Sequence, residues 1–170
     1  IYEEILEIEP NHLESICYLA TIFAQTKRTS LAKIFFLKAI EINPNNPRIN
    51  NNLGNVSLQL GESQNALRYY EKAIKSKPNY ADAHINLGIA FKSLKKNEQA
   101  LSCFEKAIKI QPEYIRSYNI LGRTLKELGE YSKALNCFEE AIKINPENSM
   151  LLYAILDLFT SIQFSNLTEN

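Results

Sequence analysis

Tryptophan is absent, methionine occurs once, and glycine occurs only five times in 170 residues. No glycine-rich phosphate loop, paired metal ligands or nucleophile motif can be read in what remains. Three cysteines and two histidines are too few and too scattered for a zinc site or a disulfide framework. Free thiols suit a reducing compartment, so a cytoplasmic location is expected. Neither sign of charge is in excess: Lys+Arg and Asp+Glu are both 19, which removes the electrostatic case for nucleic acid or an anionic membrane. Long hydrophobic runs are missing too. The longest, from Met150 to Phe159, is interrupted by Asp157 and is too short to span a bilayer. No secretory signal is read at the start, although the chain begins at Ile1 and not at Met.

What is present is a period. Of six prolines, five stand 34 residues apart, at Pro10, Pro44, Pro78, Pro112 and Pro146. A fixed period of that length means stacked supersecondary units, which build an extended concave surface and not a buried catalytic pocket. Cutting two residues after each proline gives full units at 13–46, 47–80, 81–114 and 115–148. Residues 1–12 are then the remnant of a second helix from a preceding unit. Residues 149–164 form the first helix of a fifth or capping unit, and 165–170 a tail that holds the sequon Asn166-Leu167-Thr168. The third and fourth units share 15 of 34 positions, so the division is not an artefact of proline alone.

Each unit reads as helix, turn, helix. First helices are expected near 14–26, 48–60, 82–94, 116–128 and 150–162, with apolar residues at helical spacing such as Leu87, Ala90, Phe91 and Leu94. Second helices are expected near 31–42, 64–76, 98–110 and 132–144. Each ends before its proline, because the residue preceding proline is pushed out of the α region. Gly61 and Gly129 fall where first helices stop, as left-handed caps, with Asn97 a poorer substitute in the third unit. Three small columns allow close helix approach: Ala20/Gly54/Gly88/Gly122, Ala32/Ala66/Ala100/Ala134 and Ala39/Ala73/Ala107/Ala141. Leu19/Leu53/Leu87/Leu121 and Phe36/Tyr70/Phe104/Phe138 fill the space beside them. Cys103 and Cys137 make one further column, read as buried thiols, and His84 is read as a packing residue.

This order of leucine-glycine, aromatic, alanine, aromatic, alanine and proline over 34 residues resembles the tetratricopeptide repeat family across essentially the whole chain. Unit one is the weakest match, with Ala20 for glycine and Lys27-Arg28 at its turn. The resemblance implies an all-α, right-handed superhelix whose first helices line an inner groove. It also implies protein or peptide partners, with no cofactor, no metal and no enzyme activity of the chain's own.

On that resemblance the groove is lined by Arg48, Asn51, Asn52, Asn55, Asn86, Lys92, Arg116, Asn119, Arg123 and Lys126. An amide side chain offers both a donor and an acceptor, which matches a peptide backbone. Asn52 and Asn86 share a column, and Asn52-Leu53-Gly54-Asn55-Val56 and Asn86-Leu87-Gly88 resemble the asparagine ladder of O-linked N-acetylglucosamine transferases. The ladder breaks at Tyr18 and Ile120. Asn55, Asn86 and Arg116 also match three of five positions of the carboxylate clamp in chaperone-binding repeat domains. Asn51 and Ile120 replace that clamp's other two cations.

A basic lean through Arg48, Lys92, Arg116, Arg123 and Lys126 suits an acidic peptide or a C-terminal carboxylate. Three functions therefore stand open. One is a scaffold gripping a partner segment. The second is the substrate-recruiting arm of a larger enzyme of glycosyltransferase or sulfotransferase type. The third is self-association through the apolar ends, where Tyr2, Ile5, Leu6 and Ile8 begin in mid-unit and Leu151 to Ile162 form an apolar helix. The mid-unit start favours a chain cut from a longer protein.

Overall fold

The computed structural model describes the backbone of residues 1–168 and the side chains of residues 1–163. The tail sequon at 166–168 therefore lies outside the residues whose side chains are described. Every described element is a helix. The first helices of the units are α2 (Leu13–Gln25), α4 (Pro47–Gln59), α6 (Ala81–Ser93), α8 (Ile115–Glu127) and α10 (Ser149–Thr168). The second helices are α1 (Tyr2–Ile8), α3 (Thr29–Ile42), α5 (Ser63–Ser76), α7 (Asn97–Ile110) and α9 (Tyr131–Ile144). The first helices begin one residue earlier than the periodicity places them, and the second helices one or two. Each periodic proline falls two residues past a helix end, as its effect on the preceding residue requires.

The chain divides into two units, Ile1–Ala100 and Leu101–Asn170, with the division inside α7. In the first unit, α3 packs on α2 and α5 on α4. Ile16, Leu19, Phe23, Phe36, Ile49, Leu53 and Val56 form one buried cluster, on which Tyr2 and Leu6 of α1 also pack. Gly54 decides how close α5 can come to α4: a Cβ there would lie 2.5 Å from Tyr70 Cε1. Tyr70 is fully buried, so neither side can give way. In the second unit α9 packs on α8 in the same manner, and a Cβ at Gly122 would lie 2.8 Å from Phe138 Cε1. Leu151 and Leu158 anchor one face of α10 in that unit's core.

The inter-helix turns keep the same period in backbone angle. Gly61 and Gly129 both have φ +78°, and Lys27 and Lys95 both have φ +59°. The left-handed position of the third unit is therefore Lys95. Asn97, the expected substitute, is instead the first residue of α7. A lysine there accepts a strain that glycine does not feel.

Side chains also set the proline turns. Asn46 Oδ1 accepts from the backbone N–H groups of Arg48 and Ile49 at 3.0 and 3.2 Å, with Pro47 in the first turn of α4. Asn50 Nδ2 donates to the carbonyls of Pro44 and Asn46, both at 2.9 Å. One repeat later His84 does the same work, its Nε2 donating to the Pro78 carbonyl at 2.9 Å. His84 is buried as expected, but it is a tether and not only a filler: it ties α6 to the preceding turn.

Candidate functional site

In the first unit the expected groove residues separate into two groups. Asn51 and Asn86 are only 5% and 6% exposed, and Asn86 Nδ2 donates to Asn51 Oδ1 at 3.0 Å. These amides pin α6 to α4, and burying them is tolerable only because they bond. Asn55 Oδ1 accepts from the Tyr70 hydroxyl at 2.8 Å. A fully buried phenol needs such a partner, so Asn55 completes the core. Phe36, Phe104 and Phe138 have no hydroxyl, so among the four full units Tyr70 alone calls for an amide at this position.

The remaining residues face outward. Asn52 is half-buried on the wall shared by two adjoining hollows of α2 and α4. The first, of about 360 Å³, has Phe36 and Ile49 at its floor, Cys17, Tyr18 and Asn52 on its walls, and Arg48 at its rim. The second, of about 250 Å³, adds Gln25, Asn55 and Gln59. Tyr18 is 54% exposed and stacks on Tyr2 with ring centroids 5.0 Å apart. Burial raises the Cys17 thiol above its ordinary pKa, with Arg48 pulling the other way, so Cys17 lines the hollow as a neutral group. Lys92, on α6, is half-buried.

In the second unit Asn119, Arg123 and Lys126 do come together. They line a hollow of about 460 Å³ with Met150, Tyr153 and Asp157. Lys126 is ion-paired with Asp157, which leaves Arg123 as the exposed cation of that wall. Arg116 is exposed near the start of α8. The thiols Cys103 and Cys137 both belong to this unit. Burial, with the Glu105 carboxylate, pushes the Cys137 thiol up to about 11.

One feature lies off the expected groove. Arg68, Tyr69, Lys72 and Lys75 line a hollow of about 460 Å³ on the outer side of α5. Most of the positive charge of residues 47–80 therefore sits on a second helix. The spacing 68, 72, 75 was visible as one helix face, and only its orientation was missing. Among the described residues no three His, Cys, Asp or Glu side chains group as metal ligands, and no helix is long and apolar enough to cross a membrane.

Profiles described as "Tetratricopeptide repeat" match residues 13–46, 35–68, 81–114 and 115–148, and one described as "TPR repeat" matches 55–95. The chain belongs to the tetratricopeptide repeat family. Its fold class is the all-α helical repeat solenoid of that family. The crystal structure of MamA is 24% identical, covers 88% of this chain and 87% of its own, and superposes with a TM-score of 0.77. TTC0263, a thermophilic TPR protein of Thermus thermophilus, is 17% identical over 94% of this chain and 87% of its own, with a TM-score of 0.82. YrrB, described as a TPR protein with an unusual peptide-binding site, is 24% identical over 90% of this chain and 79% of its own, with a TM-score of 0.73. At these identities the likeness is one of fold. No curated protein sequence matches the chain.

Proposed function

We propose that this chain is a protein-interaction scaffold and that the α2–α4 face of its first unit receives an extended peptide segment. The observation that carries this reading is the pair of adjoining hollows that share Asn52, Thr21 and Phe36. Asn52 and Gln59 offer paired donors and acceptors to a main chain, and Tyr18 offers a ring to an apolar side chain. The description of YrrB as a TPR protein with an unusual peptide-binding site supports the same use of a similar fold. The likeness to O-linked N-acetylglucosamine transferase repeats narrows, in this reading, to Asn52. Arg116 and Arg123 in the second unit suit an acidic segment or a terminal carboxylate, for which charge-assisted bonds are the strong kind.

The test is a lysate pull-down with mass spectrometry, comparing the wild type with Tyr18→Ala/Asn52→Ala and with Arg68→Glu/Lys72→Glu. A partner lost only with the first variant supports the α2–α4 face. A partner lost only with the second moves recognition to the outer side of α5 and overturns the reading. Asn55 and Asn86 are unsuitable targets here, because their amides hold the core.

A further inference from the structure

The two hollows of the α2–α4 face share a wall but differ in chemistry. The one that extends to Gln25 and Gln59 holds no charged side chain. The other, of about 360 Å³, holds one of each sign, Arg48 on α4 and Glu14 on α2, above the buried floor of Phe36 and Ile49. Ligand pockets run from about 300 to 1,000 Å³, so a hollow of this size takes a side chain or two and not a folded element.

Arg48 sets this hollow apart. Its side chain is exposed, and among the described residues no carboxylate pairs with its guanidinium. Its charge is nevertheless felt inside. Burial raises the Cys17 thiol in the wall, Arg48 lowers it, and Glu14 raises it further. A guanidinium has five donors and no acceptor, and a carboxylate is the group that matches it best. One turn along α4 the half-buried Asn52 amide also has no hydrogen-bond partner among the described residues, so it is open to a main chain passing from one hollow to the other.

We infer that the segment received here presents a bulky apolar side chain to Phe36 and Ile49 and, within two residues of it, an aspartate or glutamate side chain to Arg48. This rests on the α2–α4 peptide reading and narrows it to one class of partner. A run of acids is excluded, because Glu14 meets it with like charge. A terminal carboxylate is excluded as well. A clamp for it needs a second cation, and Asn51, which stands in that place, is buried against Asn86. The row from Arg48 through Asn52 to Gln59 runs about 16 Å along α4 at about 1.5 Å per residue. About five residues of extended chain cover that length at about 3.3 Å each. The acidic residue therefore lies toward the start of α4, and the uncharged hollow takes the main chain beyond the apolar anchor.

A bead-bound library of randomised eight-residue peptides, capped at the amino end and attached through the carboxyl end, offers no free terminus and tests the inference. The control is the same library with free carboxyl ends. Presented to the full chain, the capped library should return peptides with one acidic residue within two positions of a large aliphatic or aromatic one. In solution such a peptide should bind Arg48→Gln about tenfold more weakly than the wild type. Its version with the acid replaced by the amide should bind the two proteins alike. At saturation the acidic peptide should slow alkylation of Cys17, which lines the hollow. Peptides lost with Tyr18→Ala/Asn52→Ala that carry no such acid, or that bind Arg48→Gln undiminished, would overturn the inference and leave the α2–α4 reading standing. Binding seen only with free carboxyl ends would overturn it in the same way. A return of nothing from either library, or of peptides indifferent to Tyr18→Ala/Asn52→Ala, would remove the α2–α4 reading and this inference with it.

Discussion

Two closely related packing contacts, 68 residues apart, put their neighbouring side chains to opposite uses. In the first unit Gly54 meets the ring of Tyr70, and the next side chain on α4, Asn55, turns its carbonyl oxygen to the Tyr70 hydroxyl. In the second unit Gly122 meets Phe138, which has no hydroxyl, and the next residue, Arg123, is exposed. The hydroxyl of the facing ring gives Asn55 a partner that Phe138 cannot offer to Arg123. A column of a repeat thus fixes where a side chain starts, and its partner in the next helix fixes what it does.

The contact common to both units should be the most costly to disturb. Gly54→Ala is expected to lose about 1–3 kcal/mol through overpacking, and Gly122→Ala toward the lower end of that range, since its ring lies slightly farther away. Urea denaturation measures both. Tyr70→Phe should not rescue Gly54→Ala, because the clash is with ring carbons and not with the hydroxyl. The difference between the units should appear one residue further on. Asn55→Ala removes the amide oxygen that accepts from the buried Tyr70 hydroxyl and should cost about 1–3 kcal/mol, whereas Arg123→Ala should stay within about 0.5 kcal/mol. Equal losses at the two sites would remove the contrast.

The turns sharpen the comparison at smaller cost. Gly61→Ala should lose about 1 kcal/mol, because a Cβ is strained at φ +78°. Lys95→Gly, at the matching position with φ +59°, should lose less or even gain stability, and thermal melting would order them. The last contrast is one of pH dependence, at Cys137. Its thiol keeps its proton to about 11 in the folded chain, while an ordinary thiol loses it near 9.0. Between those values the native state binds more protons than the unfolded state, so stability should fall as pH rises through that window. A Cys137→Ala variant should lack that part of the decline, and alkylation of native Cys137 at pH 8 should be slow.

Much of this fold was legible in the chain. The prolines mark the ends of second helices, and Gly54 and Gly122 mark the closest approaches. Gly61 and Gly129 mark the turns. All three signals rest on residues whose backbone or steric needs are local. What was not legible depends on pairs distant in sequence. Asn51 bonds Asn86 across one repeat, and a helical wheel of α4 alone turns Asn51 toward the groove. Asn50 and His84 lie in a column that reads as packing, yet both reach back six residues to a proline carbonyl. Lys27 and Lys95 hide the left-handed position, because nothing in a lysine announces a positive φ. The hydroxyl of Tyr70 was the one visible clue to Asn55, since among the four full units it alone departs from phenylalanine in its column.

The division of the amides into core and groove rests most heavily on the Asn55–Tyr70 bond. A double-mutant cycle with Asn55→Ala, Tyr70→Phe and the double variant, read by urea denaturation, tests it directly. The account predicts that the double variant loses less than the two single losses together, by about 1 kcal/mol or more, because both single variants break the same bond. Losses that add within about 0.5 kcal/mol would contradict it and return Asn55 to the ligand-binding face.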